Sequence, residues 1–296
     1  MLSPWLQADS AAALLEDLST AAEVDLRTLG TEADAETIKD TAVAQPLIVA
    51  ASLVALAALA DELGPTEQWV DAAAGHSVGE FAALAAAGVL TGPEAVGLVA
   101  IRGRAMAQAA AQAHTSMAAV VGGDETEVLA TLTEFDLVAA NVNGGGQIVA
   151  AGTAEAITAL QQQPPAQARV IPLAVAGAFH TEHMAPATEP VREAAAAIRP
   201  SDPQITLLSN ADGAPVPTGS DALERPVAQI TAPVRWDLCQ HHLADAGVRL
   251  VIELAPGGVL TGLARRTLPG VRNIAIKTPE DVATAVAAVG ELTEAR

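Results

Sequence analysis

The pentapeptide Gly-His-Ser-Val-Gly at residues 75–79 constrains the fold of this chain more than any other stretch. A run predicted to form a strand, residues 68–74, precedes it, and a helix-forming segment, residues 81–87, follows it. A serine between glycines at such a junction is typical of a nucleophile elbow, the tight turn that exposes a catalytic hydroxyl. We expect both glycines to be required because a Cβ at either position would crowd the turn. The pattern predicts Ser77 as a nucleophile.

The backbone that follows Ser77 is also informative. The first N–H groups of a helix have no intrahelical partner and carry partial positive charge. We therefore expect the N–H of Val78 to face any oxygen that becomes negative beside Ser77. A glycine-rich turn that happens to hold a serine would share the motif. The strand before it and the helix after it are what favour catalysis.

The charge balance excludes some classes of partner. The chain carries 15 Lys and Arg against 35 Asp and Glu, a formal net charge of −20. Such a surface repels nucleic acid and anionic membranes, so we expect neither as a partner. Only Lys39 and Lys277 are lysines. Most positive charge is therefore guanidinium, which suits the binding of carboxylate or phosphate.

Cysteine usage and hydropathy predict the compartment. Cys239 is the single cysteine, which excludes an internal disulfide and is typical of a reducing compartment. The longest apolar run, residues 46–60, is shorter than the roughly 20 residues of a membrane-spanning helix and predicts a buried helix. No basic segment followed by an apolar one opens the sequence, so no secretory signal is predicted. We expect a cytoplasmic location.

The order of predicted elements divides the chain. In residues 116–177 strands and helices follow the order βαββαβ, which is the ferredoxin-like pattern. In the flanking residues, helices alternate with apolar strands, typical of a mostly parallel sheet covered by helices. We predict an α/β fold with an α/β-hydrolase-like catalytic core, residues 1–115 and 178–296, and an inserted ferredoxin-like subdomain, residues 116–177.

A serine nucleophile needs a base, and histidine has the pKa for that role near neutral pH. His180 lies at the predicted seam between subdomain and core, where pockets tend to form. His76 belongs to the elbow and is expected to point away, and His241 and His242 lie on a predicted amphipathic helix. The pair His180-x-x-His183 could bind a metal, but no acidic or cysteine partner matches it, so no metal is predicted.

These motifs together resemble those of the malonyl-CoA:acyl-carrier-protein transacylases, the acyltransferases that load malonyl units for fatty-acid synthesis. The similarity extends over nearly the whole chain and is far more specific than the elbow alone. The matching stretches, in order, are Thr41 with Gln45-Pro46-Leu47, Gly75 to Glu80, Arg102 to Met106, Gly177-Ala178-Phe179-His180, Pro233 to Trp236, and Glu253 to Gly258.

The resemblance implies a ping-pong transfer without a cofactor. Ser77 would attack the malonyl thioester with His180 as general base, and the phosphopantetheine thiol of acyl carrier protein would then take the acyl group. Arg102 matches the family arginine that pairs with the free carboxylate of malonate, a task suited to a fixed guanidinium. The family orients the histidine with a backbone carbonyl of the Pro-Val-Arg-Trp region, which implies that of Arg235.

The sequence departs from the family at its start. Family members normally begin with an apolar strand and a Gly-Gln-Gly-x-Gln turn that supplies a second oxyanion N–H, whereas this chain starts at Met1-Leu2-Ser3-Pro4 and Gln7 does not replace the turn. Val78 is then the one donor that can be named. We expect the native protein to carry an additional N-terminal segment with this strand and turn.

Two other functions fit parts of the pattern. A serine esterase or thioesterase would share Ser77 and His180, but it would need an acidic triad member and would have no use for Arg102. A weakened carrier-protein-binding remnant would fit the missing oxyanion turn.

Because carrier proteins are acidic, binding one requires a local basic patch, for which Arg235, Arg265 and Arg266 are candidates.

Overall fold

The computed structural model describes residues 1–294, which form a mixed α/β fold. The α-helices are α1 (Asp9–Ala22), α2 (Leu26–Thr31), α3 (Thr41–Leu63), α4 (Gly79–Ala86), α5 (Gly92–Ala110), α6 (Glu125–Glu134), α7 (Ala154–Gln162), α8 (Thr188–Ala196), α9 (Gly219–Ala228), α10 (Trp236–Asp245), α11 (Val259–Thr267) and α12 (Pro279–Glu294). The strands are β1 (Ala72–Ala73), β2 (Thr115–Gly122), β3 (Val138–Gly144), β4 (Gln147–Thr153), β5 (Ala168–Pro172), β6 (Thr206–Leu207), β7 (Val234–Arg235), β8 (Leu250–Glu253) and β9 (Arg272–Ala275). Short 3₁₀ helices span Trp5–Gln7, Thr37–Lys39, Thr66–Gln68, Glu182–Ala187 and Gln229–Thr231.

The largest sheet has five strands in the order β5-β2-β4-β3-β7. Its pairs are antiparallel except for β3 with β7, which is parallel. Helices α6 and α7 cover this sheet through an apolar cluster that the two helices and the strands share. The four consecutive strands β2 to β5 form where the sequence predicts them, whereas β7 comes from a part of the chain that lies far beyond.

Two further sheets are short and parallel. Strand β1 pairs with β6, and β8 pairs with β9. The strand predicted at residues 68–74 is much shorter in the structure, because residues after Pro65 form the 3₁₀ helix Thr66–Gln68 and only Ala72–Ala73 pair with a neighbour. Even so, β1 ends just before the elbow and delivers Ser77 to the carboxyl end of a parallel strand.

Side-chain caps fix the start of several helices. Thr91 and Glu94 form a capping box at the start of α5, Asp124 caps α6, and Thr153 caps α7. Each cap satisfies an N–H group that a helix leaves unpaired at its first turn. The start of α5 is therefore fixed by local sequence, and this helix carries Arg102.

Helix α3 is long and apolar enough to cross a membrane by composition alone, with a mean hydropathy of 2.2. In the structure it packs along α5, and Leu47, Val49 and Leu59 have no exposed surface. Its apolar residues belong to the largest hydrophobic cluster of the fold, which also contains Phe81 of α4 and Met106 of α5. Burial in this core accounts for the composition of α3, as the sequence predicted.

Candidate active site

The elbow has the strained geometry that its motif predicts. Ser77 has a φ of 50°, in the left-handed region that non-glycine residues rarely adopt. A Cβ on Gly75 would lie 2.0 Å from the carbonyl oxygen of Gly79, so only glycine fits at residue 75. A Cβ on Gly79 would meet nothing within 4 Å. The expectation that both glycines are sterically required is thus wrong for Gly79, which faces open space.

The structure brings Ser77 and His180 together. The Oγ atom of Ser77 lies 2.8 Å from Nε2 of His180, and Nδ1 of His180 lies 2.9 Å from the backbone oxygen of Gln229. Because a carbonyl oxygen can only accept, Nδ1 carries the proton and donates it to Gln229. The lone pair of Nε2 is then free to accept the Ser77 hydroxyl, which is the arrangement of a nucleophile with its general base.

The expected role of Arg235 is wrong. The carbonyl that orients His180 belongs to Gln229, in the 3₁₀ helix that precedes β7. Arg235 lies in β7, where it pairs with Val142 of β3 and its N–H donates to the backbone of Asn210. Its guanidinium donates two hydrogen bonds to Asp237, at 3.0 and 2.7 Å. Arg235 therefore takes part in sheet pairing, and it does not orient His180 as the resemblance implied.

Arg102 reaches Ser77 from α5 and is only 1% exposed. One of its terminal nitrogens donates to Oε1 of Gln45 at 2.6 Å, and the other donates to Oγ of Ser77 at 3.3 Å. Its Nε has no partner, and within residues 1–294 it forms no salt bridge. Burial lowers the pKa of Arg102 to about 10, a shift that the charge of Glu80 opposes. Arg102 is therefore a charged, buried cation with an unpartnered Nε–H beside Ser77.

Gln45 holds the far side of this arginine. It lies in α3 with 5% of its surface exposed, and its Nε2 donates to Oγ1 of Thr41 at 3.1 Å. That bond turns its oxygen toward Arg102. Gln45 is part of the matched sequence motif, but nothing in its residue type alone assigned it a role.

Asn210, which sequence reasoning missed, fixes the elbow. It has no exposed surface, its Oδ1 accepts from the N–H of Ser77 at 2.8 Å, and its Nδ2 donates to the oxygen of Gly75 at 2.8 Å. One side chain thus satisfies the N–H of the strained residue and the carbonyl two residues before it. No local pattern marks Asn210, which lies shortly after β6 and 133 positions from Ser77.

Glu80 is the acidic group of the site. It lies in the first turn of α4 and is 4% exposed. Its Oε1 accepts from the N–H of Asn210 at 2.8 Å, and its Oε2 accepts from Nε2 of Gln229 at 2.6 Å. Burial raises the pKa of Glu80 to about 7, against the opposing effect of the Asn210 N–H and the charge of Arg102. Glu80 was recognised only as the end of the elbow motif.

Burial keeps His180 neutral. Burial, with a further contribution from the Arg102 charge, lowers the pKa of His180 to about 3. Burial also lowers the pKa of His76, whose Nε2 lies 2.8 Å from Oδ1 of Asn143 and whose ring meets the edge of Trp236. His76 therefore points away from the nucleophile, as expected. His180 is unprotonated at neutral pH and can accept a proton.

The remaining predicted positions are consistent with this arrangement. Val78 precedes the first residue of α4, and its N–H has no hydrogen-bond partner among the residues that the structure describes. His183 and His241 are exposed. Within residues 1–294 no group of three or more His, Cys, Asp or Glu could hold a metal ion. A serine, a neutral base, a free N–H and a buried cation together suit transfer of an acyl group that carries its own negative charge.

Comparisons with known proteins agree with this chemistry. The family model described as "Acyl transferase domain" matches residues 5–288. Malonyl CoA-acyl carrier protein transacylase of Mycobacterium tuberculosis (strain ATCC 25618 / H37Rv) is 53% identical over 282 residues, which cover 95% of this chain and 93% of the relative. The crystal structure of MCAT from Mycobacterium tuberculosis matches with a TM-score of 0.93 and 52% identity over 96% of this chain and 94% of that chain. A malonyl-transacylase solved in complex with a type II PKS acyl-carrier protein matches with a TM-score of 0.88 and 27% identity, over 97% of this chain and 94% of that chain.

Proposed function

This chain belongs to the acyl transferase family, and from that premise we propose that it works through a malonyl ester on Ser77, with His180 as base and Arg102 as the malonate anchor. The overall activity is that of its relatives: it transfers a malonyl group from malonyl-CoA to acyl carrier protein for fatty-acid synthesis. Which residues carry out the transfer is our own assignment, and it follows from the geometry around Ser77.

In the first half-reaction His180 takes the proton of the Ser77 hydroxyl at Nε2, and the serine oxygen attacks the thioester carbonyl. The N–H of Val78 faces the oxygen that becomes negative. When the tetrahedral intermediate collapses, the carbon–sulfur bond breaks, and the CoA sulfur leaves with the proton that His180 had taken. A malonyl ester on Ser77 remains.

The second half-reaction reverses these roles. The thiol on the phosphopantetheine arm of acyl carrier protein loses its proton to Nε2 of His180 and attacks the ester carbonyl. The carbon–oxygen bond of the ester breaks, and His180 returns a proton to Ser77. The backbone oxygen of Gln229 holds the imidazole in one tautomer throughout, so no carboxylate needs to contact it.

The observation that carries this proposal is the state of Arg102. A buried guanidinium without a salt bridge raises the free energy of the folded protein unless a bound anion compensates its charge. Its unused donors lie beside the atom that attacks the acyl carbonyl. Malonyl has a carboxylate one methylene away from that carbonyl, so the same arginine can bind the carboxylate while Ser77 reacts. An esterase would gain nothing from this cation, and a non-catalytic remnant would have no need of the aligned Ser77–His180 pair.

The division of the chain supports the same proposal. The order β5-β2-β4-β3, with α6 and α7 on one face, is that of a ferredoxin-like subdomain, and we propose residues 116–177 as its bounds. Residues 1–115 and 178–296 then form an α/β-hydrolase-like core, and the reacting groups lie where the two meet. We also propose that the protein acts in the cytoplasm, where its substrates are made.

A basic surface for the acidic carrier protein is proposed at the end of α11. Arg265 and Arg266 are exposed in the last turn of this helix, and neither forms a salt bridge within residues 1–294. Arg266 packs against the hairpin glycine Gly145, next to the five-stranded sheet. Arg235, by contrast, has its charge compensated by Asp237. Arg265 and Arg266 are therefore the stronger candidates.

Intact-protein mass after brief incubation with malonyl-CoA tests the proposal. We expect one malonyl adduct on the wild-type chain, none on Ser77→Ala, and none from acetyl-CoA. Addition of phosphopantetheinylated acyl carrier protein should then discharge the adduct. An adduct that persists in Ser77→Ala would refute Ser77 as the nucleophile.

A further inference from the structure

We propose that Glu80 is a positioning residue. Its single carboxylate, in its ionised form, keeps the nucleophile Ser77 and the general base His180 aligned with each other. This inference rests on the proposed function. It assigns Glu80 no contact with substrate. Its effect passes through Asn210 on one side and Gln229 on the other.

The hydrogen bonds form a closed ring. From Glu80, one oxygen holds the N–H of Asn210, whose side chain holds the N–H of Ser77. The other oxygen holds the side chain of Gln229, whose carbonyl holds Nδ1 of His180. The ring closes at the contact of 2.8 Å between Ser77 and His180. A shift of Glu80 therefore moves both reacting groups, although the elements that carry them are far apart in sequence.

Both neighbours of the carboxylate are donors. The N–H of Asn210 cannot accept, and Gln229 faces Glu80 with its Nε2, while its own Oε1 has no partner. An ionised carboxylate satisfies both contacts as they stand. A protonated one would bring a third donor into the pair, and the Gln229 amide would have to rotate. Protonation thus alters the residue that orients His180.

The charge of Glu80 also balances the site. When His180 takes the proton of Ser77, its positive charge is matched by the oxyanion that forms on the acyl group, and the malonyl carboxylate matches Arg102. Before substrate binds, the anion whose charge acts on Arg102 is the buried carboxylate of Glu80 in α4. The groups that face it are Arg102 from α5, Arg225 from α9 and the Cys239 thiol from α10, whose pKa burial raises to about 12. Cys239 is therefore neutral, and Glu80 is the anion of this cluster.

The pH dependence of acylation separates this role from a merely structural one. The pKa of His180 lies at about 3 and that of Glu80 at about 7, so a fall in rate as pH decreases through 7 reports Glu80. The experiment measures the rate of Ser77 malonylation by malonyl-CoA from pH 5.5 to 8.5 in the wild type and in Glu80→Gln. Glu94→Gln, at the exposed capping box of α5, is the matched control.

We expect the wild type and Glu94→Gln to lose rate below pH 7. Glu80→Gln should be slower by about 10- to 100-fold at pH 8, which is the usual cost of misplaced catalytic groups, and its rate should no longer change near pH 7. The KM for malonyl-CoA should stay within about threefold, because Glu80 acts on positioning rather than binding. We call this fall in rate below pH 7 the acid limb of the pH profile. An acid limb that persists in Glu80→Gln at the same pH as in the wild type would overturn the inference.

Gln229→Met provides a second test if Glu80→Gln folds poorly. It keeps the backbone carbonyl that holds His180 and removes the side-chain donor that holds Glu80. Loss of a donor favours the protonated acid, so the limb should move to higher pH. An unmoved limb would contradict the role of Glu80. A wild-type chain that takes no malonyl group would instead refute the proposed function, and this inference with it.

Discussion

Arg102 donates a hydrogen bond of 3.3 Å to the hydroxyl oxygen of Ser77, so the proposed anchoring cation and the proposed nucleophile are already in contact in the free protein. A substrate bound there must place an anionic group and a reactive carbonyl within one side chain's width of each other. This distance suits a diacid as short as malonate. An acetyl group has no free carboxylate and therefore cannot pair with Arg102.

Arg102→Ala should lose malonyl transfer. Truncating one partner of a buried charge pair costs about 2–5 kcal/mol, so kcat/KM for malonyl-CoA should fall by at least about thirtyfold. Arg104→Ala, two residues along α5, is the matched control, since Arg104 only donates to the backbone of Ala22. The measurement is steady-state transfer to carrier protein with both variants. Equal losses in both would show that the effect comes from the helix and not from the anchor.

Asn210→Ala should weaken both stability and acylation. It removes the partners of the Ser77 N–H and the Gly75 oxygen, and an unsatisfied buried polar group costs about 1–3 kcal/mol. The contact with Glu80 uses the Asn210 backbone and survives the change. Denaturant unfolding and intact-mass acylation would measure the two effects. Ser209→Ala is the neighbouring control, and a comparable loss there would count against the assignment.

Glu80→Gln should gain stability relative to the wild type as pH rises from 5 to 7. The pKa of Glu80 is raised on folding to about 7, so the folded state holds this proton more tightly than the unfolded state does. The stabilisation that results is present at low pH and is lost as pH rises through 7. Glutamine has no proton to lose. Melting temperatures of both proteins across this range should therefore diverge in favour of the variant, and parallel curves would contradict the direction of the pKa shift.

Charge reversal at Arg265 and Arg266 should impair only the second half-reaction. Arg265→Glu with Arg266→Glu should raise the KM for carrier protein, more strongly at low ionic strength, because exposed charges act mainly on encounter. The rate of Ser77 malonylation by malonyl-CoA should not change. Arg169→Glu, an exposed arginine on the far edge strand β5, is the control. An equal effect of Arg169→Glu would show that net charge, and not this surface, governs binding.

The elbow could be predicted from the sequence because its requirements are local. Gly75 and Ser77 adopt their geometry within one turn, and the close approach of Gly75 to the backbone of Gly79 excludes any side chain. The same holds for the capped helices, whose start signals lie within four residues. Strand β1 was predicted too long, because Gln68 belongs to a 3₁₀ helix and only Ala72 and Ala73 pair with a neighbouring strand.

The groups that support the reacting residues could not be predicted in this way. Gln229 acts through a backbone carbonyl, which every residue possesses, so its side-chain type carries no signal. Asn210 lies 133 positions from the serine that it holds, and only the fold brings the two together. The error at Arg235 has the same origin: the expected segment was close, but Arg235 pairs with β3 as part of β7, and the carbonyl that meets His180 comes from the 3₁₀ helix before that strand.

Strand β7 makes the five-stranded sheet depend on a part of the chain far from the other four strands, since Val234 and Arg235 pair with Asn141 and Val142. Residues 116–177 are therefore not a cassette that can be exchanged between relatives by cutting at two points. A chimera would have to carry its own matching β7. That graft reaches to within five residues of Gln229, so exchanging the five-stranded sheet would also affect the orientation of His180.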